Sequence, residues 1–178
     1  MKRYIKMATN LNPNTLSPTE KLDIVLDPNT SESTLNLLLS DLSWLEELLN
    51  SDYSVRMEAE TLCDQLCANP NTSPELLYKL WKIADSVDAL QNPNAPIQLL
   101  WEVAEDHALD VDDYYQYNLV CNPNLPAELL DMLCEVPSEE VREIIANHPN
   151  VSTKTLWKMY DKGSADIAEQ SLKDRGEL

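Results

Sequence analysis

The stretch Asn69-Pro70-Asn71-Thr72-Ser73-Pro74-Glu75-Leu76-Leu77 decides the fold, because variants of it recur along the chain. Copies of its Asn-Pro-Asn turn begin at Asn12, Asp27, Asn69, Asn92, Asn122 and His148. The successive prolines of these turns lie 15, 42, 23, 30 and 26 residues apart. Self-similarity at such spacings is typical of a repeat protein, in which every copy forms one supersecondary unit.

Apolar residues at fixed distances from each proline predict what a copy forms. Seven residues after the proline stand Leu35, Leu77, Leu100, Leu130 and Leu156, and ten residues after it stand Leu38, Leu80, Val103, Leu133 and Met159. The first copy fits if two residues are inserted, with Leu22 and Val25 in these places. Residues three apart lie on one face of a helix. We therefore predict a helix in each copy and expect Leu77, Leu100, Leu130 and Leu156 to be buried between stacked helices.

The turn itself has a simple chemistry. An Asn before Pro is held in an extended conformation, where its side chain can accept a hydrogen bond from a free amide of the next turn. His148 stands in this place in the last copy, and we predict the same role for it. Ser and Thr then cap the next helix, with a proline near its first turn, as in Thr72-Ser73-Pro74.

A second helix must return the chain to the next turn. Its clearest example is residues 138–146, where Val141, Ile144 and Ile145 form an apolar stripe that we expect to face inward. This interpretation places Pro70, Pro93, Pro123 and Pro149 at boundaries between a return helix and the next helix of the repeat.

Two segments resemble the leucine-rich repeat variant family. They are Val141-Arg142-Glu-Ile-Ile-Ala146-Asn147-His-Pro149-Asn150-Val-Ser and Ala68-Asn-Pro-Asn-Thr-Ser-Pro-Glu-Leu-Leu77. The resemblance implies an all-α fold, a right-handed superhelical solenoid of alternating α-helices and short α or 3₁₀ helices, and no catalytic residues. We expect one helical-repeat domain over residues 1–178, with an N-terminal cap (1–11), degenerate repeats (12–65), regular repeats (66–162) and a C-terminal cap or tail (163–178).

The composition excludes several classes of function. The 178 residues carry a net charge of −18, which disfavours direct binding of nucleic acid or of an anionic membrane. The chain has two glycines, too few for glycine-rich phosphate loops or dinucleotide fingerprints. It shows neither a signal peptide nor an apolar stretch of about 18 residues, so we expect a cytoplasmic protein without a membrane span.

The reactive side chains favour neither an enzyme nor a metal site. Cys63 and Cys67 form one loose pair, whereas a structural zinc site commonly shows two close pairs. Cys121 precedes an Asn-Pro turn, as Ala68 and Ala146 do, so we expect a small buried residue there. The acidic stretch around His107 lacks the glycine and distal Glu of an EF-hand. We expect no catalytic residues, no bound metal and no cofactor, while a metal-binding role of Cys63 and Cys67 remains an alternative.

The distribution of charge indicates where a partner binds. No Lys or Arg occurs between Lys82 and Arg142, where thirteen acids do, and the longest insertion between repeats, residues 105–117, falls in this span. Acids and tyrosines together on an insertion suit a protein interface. The predicted partner-binding residues are Asp106, Asp110, Asp112, Asp113, Tyr114, Tyr115, Tyr117 and Trp101. Trp101 shares its repeat position with Tyr78 and Trp157, which is consistent either with packing or with a binding surface.

Two functions follow from these features. The first is a non-catalytic scaffold for protein–protein interaction, which presents an acidic, aromatic-bearing face to a basic protein partner. The alternative is an acidic mimic of nucleic acid, of the kind used by accessory proteins of phages, which occupies the groove of a DNA- or RNA-binding protein. The two differ in whether the partner normally binds nucleic acid.

Overall fold

The computed structural model describes residues 12–27, 30–107 and 113–178. Asp110 and Asp112 of the predicted partner-binding set lie outside these residues. The described parts of the chain form helices and turns with no strand among them, which confirms the all-α class. The chain divides into two compact units, Met1–Cys63 and Asp64–Leu178. The division lies close to residue 65, where the sequence changes from degenerate to regular repeats.

The first unit contains a short 3₁₀ helix, Pro13–Thr15, and helices α1 (Pro18–Val25), α2 (Glu32–Leu39) and α3 (Ser43–Leu49), followed by the first part of α4 (Tyr53–Ala68). Helix α1 begins with a capping box in which Ser17 and Glu20 exchange hydrogen bonds with each other's backbone amides. It contacts both α2 and α3. Trp44 is buried and donates from Nε1 to the Leu38 carbonyl at 3.0 Å. Leu35 and Val25 are only half-buried, so the apolar register is less regular here.

After α4, the described residues of the second unit form eight helices in an alternating order. The first helices of the repeats are α5 (Pro74–Ala84), α7 (Ile97–His107), α9 (Ala127–Leu133) and α11 (Thr153–Asp161). The return helices are α6 (Asp88–Gln91), α8 (Tyr114–Val120), α10 (Glu139–Asn147) and α12 (Ala165–Asp174). Helix α6 contacts α8, α8 contacts α10, and α10 contacts α12. The return helices therefore form one row in chain order.

The first helices form a second row. Helix α7 contacts α9. The Tyr78 hydroxyl of α5 donates to Glu102 of α7 at 3.1 Å, and the Thr155 hydroxyl of α11 donates to Asp131 of α9 at 3.2 Å. Contacts between successive repeats are therefore present in both sets of helices.

Two predictions about the repeat are confirmed. Pro70, Pro93, Pro123 and Pro149 all lie in turns between a return helix, or α4, and the following first helix. Leu77, Leu100, Leu130 and Leu156 are at most 1% exposed. Burying such a side chain contributes about 1.5–3 kcal/mol, so this set is a main source of the stability of the second unit.

Two burial predictions are wrong. Cys121 is half-buried and Ala68 is exposed, whereas the buried position lies two residues before the first residue of the turn. That position holds Cys67, Leu90, Val120 and Ala146. Adjacent helical residues point about 100° apart, so only one of the two can face the core. Ile144 is likewise half-buried, and the buried residues of α10 are Val141, Ile145 and Ala146.

Candidate functional site

Buried asparagines link each turn of the second unit to the turn before it. Asn92 donates from Nδ2 to the carbonyls of Cys67 (2.6 Å) and Asn69 (2.8 Å). Asn122 repeats this one copy later, with bonds to Leu90 O (2.6 Å) and Asn92 O (2.8 Å). Both side chains also accept the amide two residues on, at 2.8 Å. One asparagine therefore closes its own turn and fastens it to the preceding repeat.

The second asparagine of the turn forms a parallel set of bonds. Asn94 donates from Nδ2 to Pro70 O (2.6 Å) and Thr72 O (3.2 Å), and Asn124 donates to Pro93 O (2.8 Å). Asn150 continues the series at Pro123 O (3.2 Å) and Leu125 O (3.0 Å). We call the two sets together the asparagine ladder. The sequence indicated the acceptor role within a turn but not the donation between repeats.

His148 takes part in the ladder in place of asparagine. Its Nδ1 accepts the Asn150 amide at 3.1 Å, and its Nε2 lies 2.8 Å from Asn122 O. A ring nitrogen that accepts an amide carries no proton, so the hydrogen is on Nε2 and is donated to the carbonyl. The predicted capping role of His148 is confirmed.

Helix α12 closes the C-terminal end of the ladder. The Ser171 hydroxyl donates to Ala146 O at 2.8 Å, and Arg175 donates from Nη1 to Val151 O at 2.9 Å. These carbonyls correspond to those that accept ladder asparagines in the earlier copies. Since the Nδ2 donors of the ladder and the Oδ1 acceptors of Asn92 and Asn122 are used within the chain, these bonds stabilise the contacts between neighbouring repeats.

Acidic and aromatic residues gather at the opposite ends of the first helices, around Tyr115. The Tyr115 hydroxyl donates to Asp85 Oδ2 at 2.8 Å, although the two residues are 30 positions apart. The Tyr115 ring stacks on His107 with centroids 4.0 Å apart and meets Trp81 edge-on at 6.0 Å. Asp85 is held in the left-handed region (φ 51°) at the end of α5, a conformation that Asp tolerates better than most residues.

We define the acidic edge as Asp85, Glu105, Asp106, Asp113, Tyr114 and Tyr115. Asp106 is exposed, Asp113 is half-buried, and Tyr114 is 52% exposed with its ring edge-on to Tyr115. The structure thus brings Tyr114 and Tyr115 of the predicted set into contact, while Asp106 and Asp113 adjoin His107 and Tyr114 along the chain. It adds Asp85 and Glu105, and Asp85 could not be found from sequence because it is distant along the chain.

The two other described residues of the predicted set have different surroundings. Tyr117 lies beside Cys121 and Glu140, whose charges raise the pKa of its hydroxyl. Trp101 is half-buried on α7, and among the described rings it contacts no tyrosine. Tyr78 and Trp157, its counterparts in other repeats, are also half-buried. Both interpretations of this repeated aromatic therefore remain open.

Cations from flanking repeats neutralise part of the base-free span. Lys82 forms a salt bridge with Glu102, and the bond lowers the pKa of this carboxyl. Lys158 pairs with Asp131 at 3.5 Å and with Glu135 at 3.2 Å. By contrast, Glu105, Asp106 and Asp113 join none of the salt bridges that the structure shows among its described residues. The acidic edge is therefore one of the places in the span where carboxylates carry negative charge without a salt bridge among the described residues.

The cysteines lie in surroundings that disfavour metal binding. Cys63 and Cys67 on α4 are both buried. Burial raises the pKa of Cys67 from 9.0 to about 11, which disfavours the thiolate that a metal needs. Over residues 12–27, 30–107 and 113–178, no group of three or more His, Cys, Asp or Glu side chains is arranged to hold a metal ion.

Among the helices in the described ranges, none is long and apolar enough to cross a membrane. Comparison of the chain with protein-family models, with curated proteins and with solved structures finds no match.

Proposed function

We propose that the protein is a non-catalytic interaction scaffold and that its acidic edge binds a basic protein partner. The observation that carries this proposal is the partly exposed pair Tyr114–Tyr115, flanked along the chain by Glu105, Asp106 and Asp113, which join none of the salt bridges of the described residues. Carboxylates supply long-range attraction, and Tyr114 supplies apolar area with a polar end, a side chain favoured at interfaces.

The aromatic packing gives the edge a defined shape. Tyr115 is held in place by a hydrogen bond to Asp85 and by ring contacts with His107 and Trp81. The more exposed Tyr114 packs edge-on against the Tyr115 ring. A preorganised surface loses little conformational entropy when a partner binds. In this proposal Tyr114 contacts the partner directly, and Tyr115 positions Tyr114 and Asp85.

We further propose that the repeats wind into the right-handed superhelix of the leucine-rich repeat variant family. The support is the repetition of equivalent bonds at Asn92, Asn122 and His148, because a constant geometry between neighbours generates a regular winding. The ladder would then fix the spacing of the helix ends that form the acidic edge, and the chain would remain a cytoplasmic protein that binds through this edge.

The test is affinity capture from the native host with three baits. The first is the wild-type chain, and the second is the edge variant Glu105→Gln, Asp106→Asn, Asp113→Asn. The third is a control variant, Glu128→Gln, Glu143→Gln, Asp161→Asn, which removes the same charge from exposed carboxylates elsewhere in the second unit. The proposal expects a basic protein that the wild type and the control retain and the edge variant loses.

Kinetics with the purified partner then separate steering from nonspecific attraction. For the wild type, the association rate should fall steeply as salt rises while dissociation changes little, since screening acts mainly on the encounter. The edge variant should associate at least about tenfold more slowly at low salt, within the range that steering supplies. Equal loss of the partner in the edge and control variants would overturn the proposal.

The nucleic-acid mimic differs in one outcome of the same experiment. A mimic occupies the groove that DNA or RNA uses, so duplex nucleic acid should displace the captured partner competitively. If the partner binds duplex nucleic acid and the chain at the same time, mimicry is excluded and the interaction scaffold is the function supported.

A further inference from the structure

A small cleft lies at the end of the second unit, between the α9–α10 connection and the start of α12. Its volume is about 290 Å³, far above the roughly 10–15 Å³ that one water molecule needs. The side chains of Arg142, Lys158 and Lys162 line it, together with Glu135. Three cations in one concavity are unusual in a chain whose net charge is −18.

Two of these cations, Lys158 and Lys162, are already arranged around an oxyanion, the Glu135 carboxylate. Lys162 Nζ lies 2.8 Å from both carboxylate oxygens of Glu135, and Lys158 Nζ lies 3.2 Å from Glu135 Oε1. The two ammonium groups lower the pKa of the Glu135 carboxyl by hydrogen bonding. Asp131 contacts Lys158 at 3.5 Å, whereas Arg142 is paired with neither Glu135 nor Asp131 in the salt bridges of the described residues.

Further donors of the cleft are incompletely used. The Arg142 Nη1 donates to the carbonyls of Val136 and Pro137, both at 2.7 Å, but its buried Nε–H has no acceptor among the described residues. Ser164, the residue before α12, lines the cleft and makes no side-chain capping bond to the helix. An anion in the cleft would therefore meet charged donors and a helix start of matching polarity.

We propose that this cleft binds a phosphoryl group, with Lys158, Lys162 and Arg142 as its cationic contacts. Glu135 already occupies Lys158 and Lys162, so a ligand must either displace the Glu135 carboxylate or share these two cations with it. A phosphoryl group carries up to two negative charges and three acceptor oxygens, which suits several converging donors better than a single carboxylate does. The cleft and the acidic edge share no residue, so this inference is independent of the proposed function.

The test is a titration of the full-length protein with inorganic phosphate, methyl phosphate and acetate at constant ionic strength, followed by the NMR amide shifts of Gly163 and Ser164. We expect saturable shifts with at least one phosphate compound and weaker binding of acetate. Binding of methyl phosphate identifies a site for a phosphoryl group carried by a larger molecule, and binding of inorganic phosphate alone identifies a site for the free ion.

Three variants decide the role of the side chains. Lys162→Gln should weaken binding about tenfold, the effect of losing one charge-assisted bond. Lys154→Gln, an exposed lysine of the same helix, is the matched control and should leave binding unchanged. Glu135→Gln should tighten binding, because it removes the internal competitor. No saturable shift with phosphate, equal binding of acetate, or no tightening in Glu135→Gln would each overturn the proposal.

Discussion

The asparagine ladder predicts a large difference between two asparagines of one turn. Asn122 is fully buried, and Asn122→Ala removes the donor to Leu90 O and Asn92 O and the acceptor of the Asn124 amide. Asn92 O keeps the Ala95 amide at 2.9 Å, so two groups, Leu90 O and the Asn124 N–H, lose these partners. Leu90 O is buried and the Asn124 N–H is part-buried, and at about 1–3 kcal/mol for each unsatisfied group we expect a total loss of about 2–6 kcal/mol.

Asn124→Ala is the matched control for this prediction. Asn124 is exposed, and its side chain makes one bond, to Pro93 O at 2.8 Å. We expect a loss of about 0.5–1.5 kcal/mol, the net contribution of an ordinary hydrogen bond. Urea unfolding monitored by circular dichroism measures both values, with comparable m-values as the check on two-state behaviour. If Asn122→Ala loses less than about 1 kcal/mol, or no more than Asn124→Ala, the ladder does not hold the repeats together.

Three further predictions concern single positions. Leu130→Ala should lower the free energy of unfolding by about 2–5 kcal/mol because Leu130 is fully buried, and a loss below about 0.5 kcal/mol would contradict the assigned register. His148→Asn should preserve or raise the urea midpoint, because asparagine can donate to two carbonyls as Asn122 does, whereas His148→Ala should lower the midpoint. Equal midpoints for the two variants would contradict the role of His148 in the ladder. The pKa of Cys67 is raised by burial from 9.0 to about 11, so the unfolded thiol ionises first and stability should fall as pH rises from about 9 towards 11. Cys67→Ala should show less of this alkaline loss, and an identical pH profile would exclude the thiol as its cause.

Much of the second unit can be predicted from the spacing of its turns. The Asn-Pro turns and the leucines seven residues after each proline locate the helices, because both signals lie within about ten residues of the helix that they predict. The asparagine ladder could not be predicted in the same way, since donation from Asn122 to Leu90 O joins groups 32 residues apart. The sequence does carry a signal for the ladder, which is a second asparagine in each turn, at Asn94, Asn124 and Asn150. This asparagine is not required to close its own turn, and its side chain bonds to the preceding repeat.

The acidic edge was only partly predictable for the same reason. Its acids and tyrosines in residues 105–117 are neighbours in sequence, so composition alone groups them. Asp85 and Trp81 join them only after Tyr115 of α8 packs against the end of α5. The salt bridge between Lys82 and Glu102 is also a product of stacking, since the two residues are 20 positions apart.

The most direct test of the proposed function is hydrogen–deuterium exchange of the chain with and without its captured partner. Binding at the acidic edge should slow amide exchange in residues 101–107 and 113–117, while the turns at Asn92, Asn122 and His148 exchange as they do in the free chain. Protection confined to those turns, with no change near Tyr114 and Asp106, would contradict the account and place the interface on the ladder side.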